Sequence, residues 1–138
     1  MSDQDRIAPG QVLEISALNG CTGIIAVGPN VACGAHITFV QEMQTIPAFR
    51  AKLTDLNITH VHIKIPDNLS DADRSSMRQI FDGYVVKEYD YPYVFLSGEW
   101  PNTADPKQLF LTLNHDGTHV VRDEARELFT GGGVLKPK

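Results

Sequence analysis

The sequence predicts an α+β domain: mixed or antiparallel β-sheets in a sandwich-like arrangement, flanked by two helices. Three observations carry this. Short stretches alternate apolar and polar residues with period two, most clearly Ile58-Thr-His-Val-His-Ile-Lys-Ile65, as strands with unlike faces do. Pairs of such stretches are separated by strong turn chemistry, Gly28-Pro29-Asn30 and Asn114-His-Asp-Gly117. Two stretches, 40–56 and 70–84, instead space their apolar residues at three and four, the helical period. No repeat and no linker composition divides the 138 residues, so one domain is expected, with loose arms at 1–10 and 131–138.

Residues 1–10 are polar and end in Ala8-Pro9-Gly10, which suits an arm. Gln11–Ser16 alternates well enough for a strand and leads into an Asn19-Gly20 turn. Thr22-Gly-Ile-Ile-Ala-Val27 and the return run Val31-Ala-Cys-Gly-Ala-His36 flank Gly28-Pro29-Asn30, so a hairpin is expected over 22–40. Val40, Met43, Ile46, Phe49, Leu53 and Leu56 mark a helix. Pro47 is expected to start or bend it, because proline has no N–H and its ring crowds the preceding turn. The strand 58–65 is closed by Pro66-Asp-Asn. Ser70-Asp-Ala-Asp73 opens a second helix with a hydroxyl cap and first-turn acids, and Met77, Ile80, Phe81 and Tyr84 form its apolar face. Val85–Tyr89 and Tyr91–Leu96 read as short strands and Pro101–Pro106 as a loop. Gln108–Asn114 and Thr118–Arg122 flank the second turn; Glu124–Phe129 reads as a helical turn, and Thr130-Gly-Gly-Gly133 begins a frayed tail.

Composition excludes several functions. The formal net charge is −5, with both signs mixed along the chain and no basic stripe interleaved with aromatics, so the footprint of nucleic-acid binding is missing. No apolar run approaches a membrane span, and Met1-Ser-Asp-Gln-Asp-Arg has no signal-peptide core, so a cytoplasmic protein is expected. With two cysteines, Cys21 and Cys33, a disulfide staple is not expected; Cys33 reads as a small buried hydrophobe.

The chemistry concentrates in Leu18-Asn19-Gly20-Cys21-Thr22-Gly23, with His36 fifteen positions after the thiol. A thiol becomes a working nucleophile when a neighbour takes its proton, and imidazole is the usual neighbour. The hairpin folds His36 back toward the start of the first strand, where Cys21 sits. Gly20 and Gly23 let the backbone approach a substrate, and the Cys21 N–H is a candidate donor to a developing oxyanion. His36 is then the candidate base, later returning a proton to a leaving amine. Ser16, at the end of the incoming strand, is one candidate to orient the imidazole; a backbone carbonyl there would serve as well.

Leu18-Asn19-Gly20-Cys21-Thr22, with His36 one hairpin later, resembles the Leu-Ser-Gly-Cys motif of the Cys–His glutamine deamidases. That superfamily includes the catalytic domains of cytotoxic necrotizing factor toxins and CheD-like receptor deamidases. The resemblance covers residues 16–37 and has Asn19 where the family carries Ser. It implies a β-sandwich flanked by helices, with Cys21 as nucleophile, His36 as base and Ser16 where CheD-like members have an orienting Thr. The implied reaction is deamidation of a glutamine side chain on a protein partner through a thioester, or transamidation, with no cofactor.

Other constellations read as structural. His60 and His62 face one side of their strand, and His115 and His119 at the second hairpin are the conceivable other half of a metal site. No acidic partner is fixed by spacing, so no metal is expected. Trp100 reads as closing a core edge, and Tyr84, Tyr89, Tyr91 and Tyr93 as straddling the sheet margin. The function expected is a cysteine-dependent protein-glutamine deamidase; the alternative is a non-catalytic protein-binding module on the same scaffold.

Overall fold

A computed structural model describes residues 2–3, 6–18, 20–37, 42–92 and 107–132. In chain order the elements are β1 (Ser2–Asp3), β2 (Val12–Leu18), β3 (Thr22–Val27), β4 (Ala32–Ile37), α1 (Glu42–Lys52), β5 (His60–Pro66), α2 (Asp71–Ile80), β6 (Val85–Tyr91), β7 (Lys107–Leu113), β8 (His119–Asp123) and β9 (Glu127–Gly131). They form the expected α+β architecture. One sheet has five strands in the order β1-β4-β3-β5-β6, antiparallel except for the parallel β5–β6 pair. The second has four antiparallel strands, β2-β7-β8-β9.

The central strands of the five-stranded sheet are covered on both faces, and alternate residues go to different cores. Ile24, Ala26, Ala35, Val61, Ile63 and Ile65 pack with Ile46, Phe49 and Leu53 of the first helical segment and Met77 and Phe81 of the second. Ile25, Val27 and Ala32 pack on the other face against Leu13, Ile15 and Leu18 of β2 and Leu109, Leu111, Leu113 and Val121 of β7 and β8. Being buried on both faces explains the continuous apolar run Ile24–Val27. The layers are therefore helices, five-stranded sheet, four-stranded sheet.

Helix α2 begins as its cap residue dictates. The Ser70 hydroxyl accepts a hydrogen bond from the Asp73 N–H at 3.2 Å, and Asp71 and Asp73 occupy the first turn. Ser70→Ala is expected to lower stability by about 1 kcal/mol; a urea-midpoint shift equivalent to less than about 0.3 kcal/mol would remove this account of the helix start.

Several boundaries differ from the sequence reading. Of the two expectations for Pro47, a helix start or a bend within the helix, the start is excluded: α1 begins at Glu42 and contains the proline, because burying Ile46, Phe49 and Leu53 outweighs one missing backbone bond. The segment read as a helical turn at 124–129 is instead strand β9 from Glu127, and Thr130 and Gly131 belong to it. The Asp123 carboxylate accepts from the Ala125 and Arg126 N–H groups, both at 2.7 Å, and this Asx-type turn folds the chain back along β8. In the N-terminal segment, Ser2 and Asp3 pair with His36 and Ala35, and Ile7 bridges to Ala32, so this stretch is tied to β4. Strand β6 runs unbroken through Tyr91. The rest of the expected strand to Leu96, the loop 101–106, Trp100, Tyr93, Asn19 and the tail beyond Gly132 lie outside the described residues. No helix among the described residues is long and apolar enough to cross a membrane.

Candidate functional site

The β3–β4 hairpin pairs Gly23 with His36 and Thr22 with Ile37. A Cβ built on Gly23 would meet Leu18 and Ile15 at 3.1 and 3.3 Å, so Gly23 and the His36 opposite it face the four-stranded sheet. Cys21, half-buried, packs against that same core. The thiol and the imidazole thus share one face, one diagonal step apart across the two strands. Diagonal neighbours in antiparallel pairs stand about 7–8 Å apart, within the span of an imidazole side chain. Among the described residues no hydrogen bond joins His36 to Cys21 or to Ser16. Burial pushes the His36 pKa below its usual value, which keeps the ring neutral near pH 7 and able to accept a proton.

Ser16 lies at an irregularity. Strand β2 pairs Ile15 with Leu109 but Leu18 with Lys107, so three steps on β2 match two on β7. Ala17 takes up the extra residue with φ 60°, a left-handed conformation that is uncommon for a residue with a Cβ and is worth about 1–2 kcal/mol of strain. Ile15, the residue before Ser16, touches the positions that Cβ atoms on both Gly23 and Gly34 would occupy. The bulge therefore sits above the hairpin end that carries His36, with Ser16 half-buried beside it.

Cys33 has no part in this site. It pairs with Ala26 and packs on the helix-facing side, five residues along the ladder from the level of Cys21, or roughly 17 Å. Neither cysteine is in a disulfide. Burial pushes the Cys33 thiol up and leaves it inert at neutral pH.

A polar cluster that sequence reasoning read as a half-exposed face fills the space between the sheets. His62 and Lys64 of β5 and His119 of β8 are 0%, 2% and 1% exposed. The Nε2 atoms of His62 and His119 lie 2.8 Å apart, and His62 Nδ1 is 2.8 Å from the Tyr89 hydroxyl. At that distance one nitrogen donates a proton and the other accepts it, and both rings are held neutral at pH 7. Burial is the main reason, with the neighbouring imidazoles adding to it: His62 is pushed down to about 3 and His119 to about 4. His60 is half-buried with Nδ1 2.7 Å from the Thr59 hydroxyl, and Phe129 lies against all three rings. Among the described residues no group of three or more His, Cys, Asp or Glu side chains is arranged to hold a metal ion. His115 stands apart in the β7–β8 turn, against Gly10.

Lys64 is the other buried charge. Its ammonium donates to the Gln108 carbonyl at 2.9 Å and to Glu124 Oε1 at 3.0 Å, with Asp123 at 3.8 Å. Lys64 is opposite Gly23 in the β3–β5 register and so shares a face with His36. Its partners belong to the second sheet and the turn after β8, 44 to 60 residues away, and no local spacing signals the pairing.

Compared with known proteins, the chain matches no protein-family model and no curated protein sequence.

Proposed function

We propose that this chain is a cysteine-dependent amidohydrolase acting on the carboxamide of a glutamine side chain in a partner protein. The observation that supports it most is the hairpin register, in which Gly23 opposes His36 and leaves Cys21 and His36 on one face. The strained bulge at Ala17 beside that face is of the kind found next to reacting groups. The choice of a glutamine carboxamide rests on the resemblance of residues 16–37 to glutamine deamidases.

The chemistry follows from the two side chains. His36 takes the thiol proton, and the Cys21 sulfur attacks the carboxamide carbon. The carbonyl oxygen becomes an oxyanion, for which the Cys21 backbone N–H is the candidate donor. The oxyanion collapses, the C–N bond breaks, and the departing nitrogen takes the proton from His36 and leaves as ammonia. Water, deprotonated by His36, then attacks the thioester, releasing glutamate and restoring the thiol. An amine in place of water gives transamidation. The sequence needs no cofactor.

The test is the pH dependence of Cys21 alkylation, read by intact mass in the wild-type chain and in His36→Ala. Cys21 is expected to react near neutral pH, and His36→Ala to slow it about tenfold or more at pH 7. Cys33 serves as the internal control and reacts once the chain is unfolded. An ordinary thiol profile at Cys21, indifferent to His36→Ala, would favour the binding-module reading instead.

A further inference from the structure

We propose that Tyr91 is a positioning residue for Cys21: its phenol supplies, from the far side of β5, the hydrogen-bond donor that Pro66 withholds from the nucleophile's carbonyl. This rests on the reading of Cys21 as the nucleophile.

The argument begins with the direction of the backbone groups along β3. The Gly28 N–H bonds to the Val31 carbonyl, so the even-numbered residues of this strand pair with β4. The odd-numbered ones turn toward β5, as Val27 does by accepting from the Thr59 N–H at 3.0 Å. Cys21 is odd-numbered. Extending the register from Gly23 opposite Lys64 puts Cys21 level with Pro66, the last residue of β5. Any other residue there would present an N–H to the Cys21 carbonyl, but proline has none. In the parallel β5–β6 pair, Pro66 is level with Tyr91. The Tyr91 side chain, 3% exposed, crosses above the proline, and its hydroxyl donates to the Cys21 carbonyl at 2.6 Å. The bond joins residues seventy positions apart.

The consequence is geometric. The bond fixes the Cys21–Thr22 peptide plane, and with it the direction of the Cys21 Cα–Cβ bond relative to His36. The Lys64 ammonium, anchored to Glu124, lies over the Tyr91 ring at 6.0 Å from its centroid. Tyr89 provides the contrast. It points to the same face two residues earlier, but its hydroxyl serves His62.

The experiment compares Cys21 alkylation rates across pH in Tyr91→Phe, Tyr89→Phe, Pro66→Ala and the double variant Pro66→Ala/Tyr91→Phe. Tyr91→Phe is expected to slow the reaction about tenfold at pH 7, and Tyr89→Phe by less than about twofold. The double variant restores an N–H at position 66 and is expected to recover most of the rate. That rescue would not occur if Tyr91 merely stabilised the fold, and it can be read even if Tyr91→Phe alone folds poorly. Equal effects of the two phenylalanine substitutions, or no rescue, would overturn the proposal. His36→Ala decides the other reading separately: if it leaves the rate unchanged while Tyr91→Phe slows it, the base assignment fails and the positioning role stands.

Discussion

Taking the protein from pH 6.5 to pH 4.5 is expected to remove a large part of its folding stability, and the His62–His119 pair is the cause. In the unfolded chain both imidazoles take up protons near their ordinary value of 6.5. In the folded chain burial holds His62 down to about 3 and His119 to about 4. Between those limits the unfolded state binds more protons, so stability falls as the pH falls and is fully retained above about 6.5. Each histidine contributes a slope of up to about 1.4 kcal/mol per pH unit, giving a loss on the order of 5 kcal/mol by pH 4.5. That is comparable with the whole stability of many domains, about 5–15 kcal/mol. Lys87 and His60 act on His62 and oppose its protonation further, and among the described residues no carboxylate is among the groups shifting either ring. Urea unfolding followed by circular dichroism at half-unit pH intervals would measure the slope. Replacing both rings, as in His62→Leu/His119→Leu, should flatten it, since neither partner is then left unpaired. A wild-type slope near zero between pH 6.5 and 5 would show that the pair is hydrated and not shut between the sheets.

Gly28→Ala is expected to be severely destabilising. A Cβ at this position would lie 1.8 Å from the Asn57 carbonyl oxygen and 2.8 Å from its carbon. Both are backbone atoms, so no side-chain rotation relieves the clash. The segment that would have to move is the one that closes the sheet: the Thr59 N–H and hydroxyl both donate to the Val27 carbonyl, at 3.0 and 3.3 Å. Separating the hairpin from it breaks the start of the β3–β5 ladder. A loss of about 3 kcal/mol or more is expected, read as a shift in urea midpoint or as failure to accumulate soluble protein. A loss below about 1 kcal/mol would mean that the turn can move away without disturbing the ladder.

Gly28 also shows how far local reading reaches. Gly28-Pro29-Asn30 announces a turn from its own chemistry, and so do the Ser70 cap and the Asn114–Gly117 turn; all three appear where the residues indicate. The face-sharing of Cys21 and His36 is legible for the same reason, since hairpin register follows from turn position. What sequence cannot carry is what covers a strand. His60, His62 and Lys64 alternate with Val61, Ile63 and Ile65, the pattern of a strand with one wet face, yet a second sheet lies over the polar side. The partners that make this tolerable, His119, Tyr89 and Glu124, come from three other segments. Likewise Glu124–Phe129 has helical composition, and the Asp123 side chain, through two bonds to backbone N–H groups, sends it into a hairpin. Pro47 is a case of the opposite kind, where a correct local rule yields to burial of Ile46 and Phe49.

The order of pairing has a consequence for how the protein is made. Strand β2 leaves the ribosome early, but its neighbour in the four-stranded sheet, β7, is translated roughly ninety residues later. The hairpin β3–β4, helix α1, β5, α2 and β6 are all complete by Tyr91 and have no need of the C-terminal strands for their own ladders. A nascent chain at that stage would carry a five-stranded sheet with one face clothed in helices and the other covered by β2 alone, leaving His62 and Lys64 without the C-terminal partners that close over them in the finished fold. On that half-built face His62 and Lys64 would reach water, so polar residues that look misplaced in the finished core would add to its solubility before the second sheet closes. Closing the second sheet over them is then the late, long-range step.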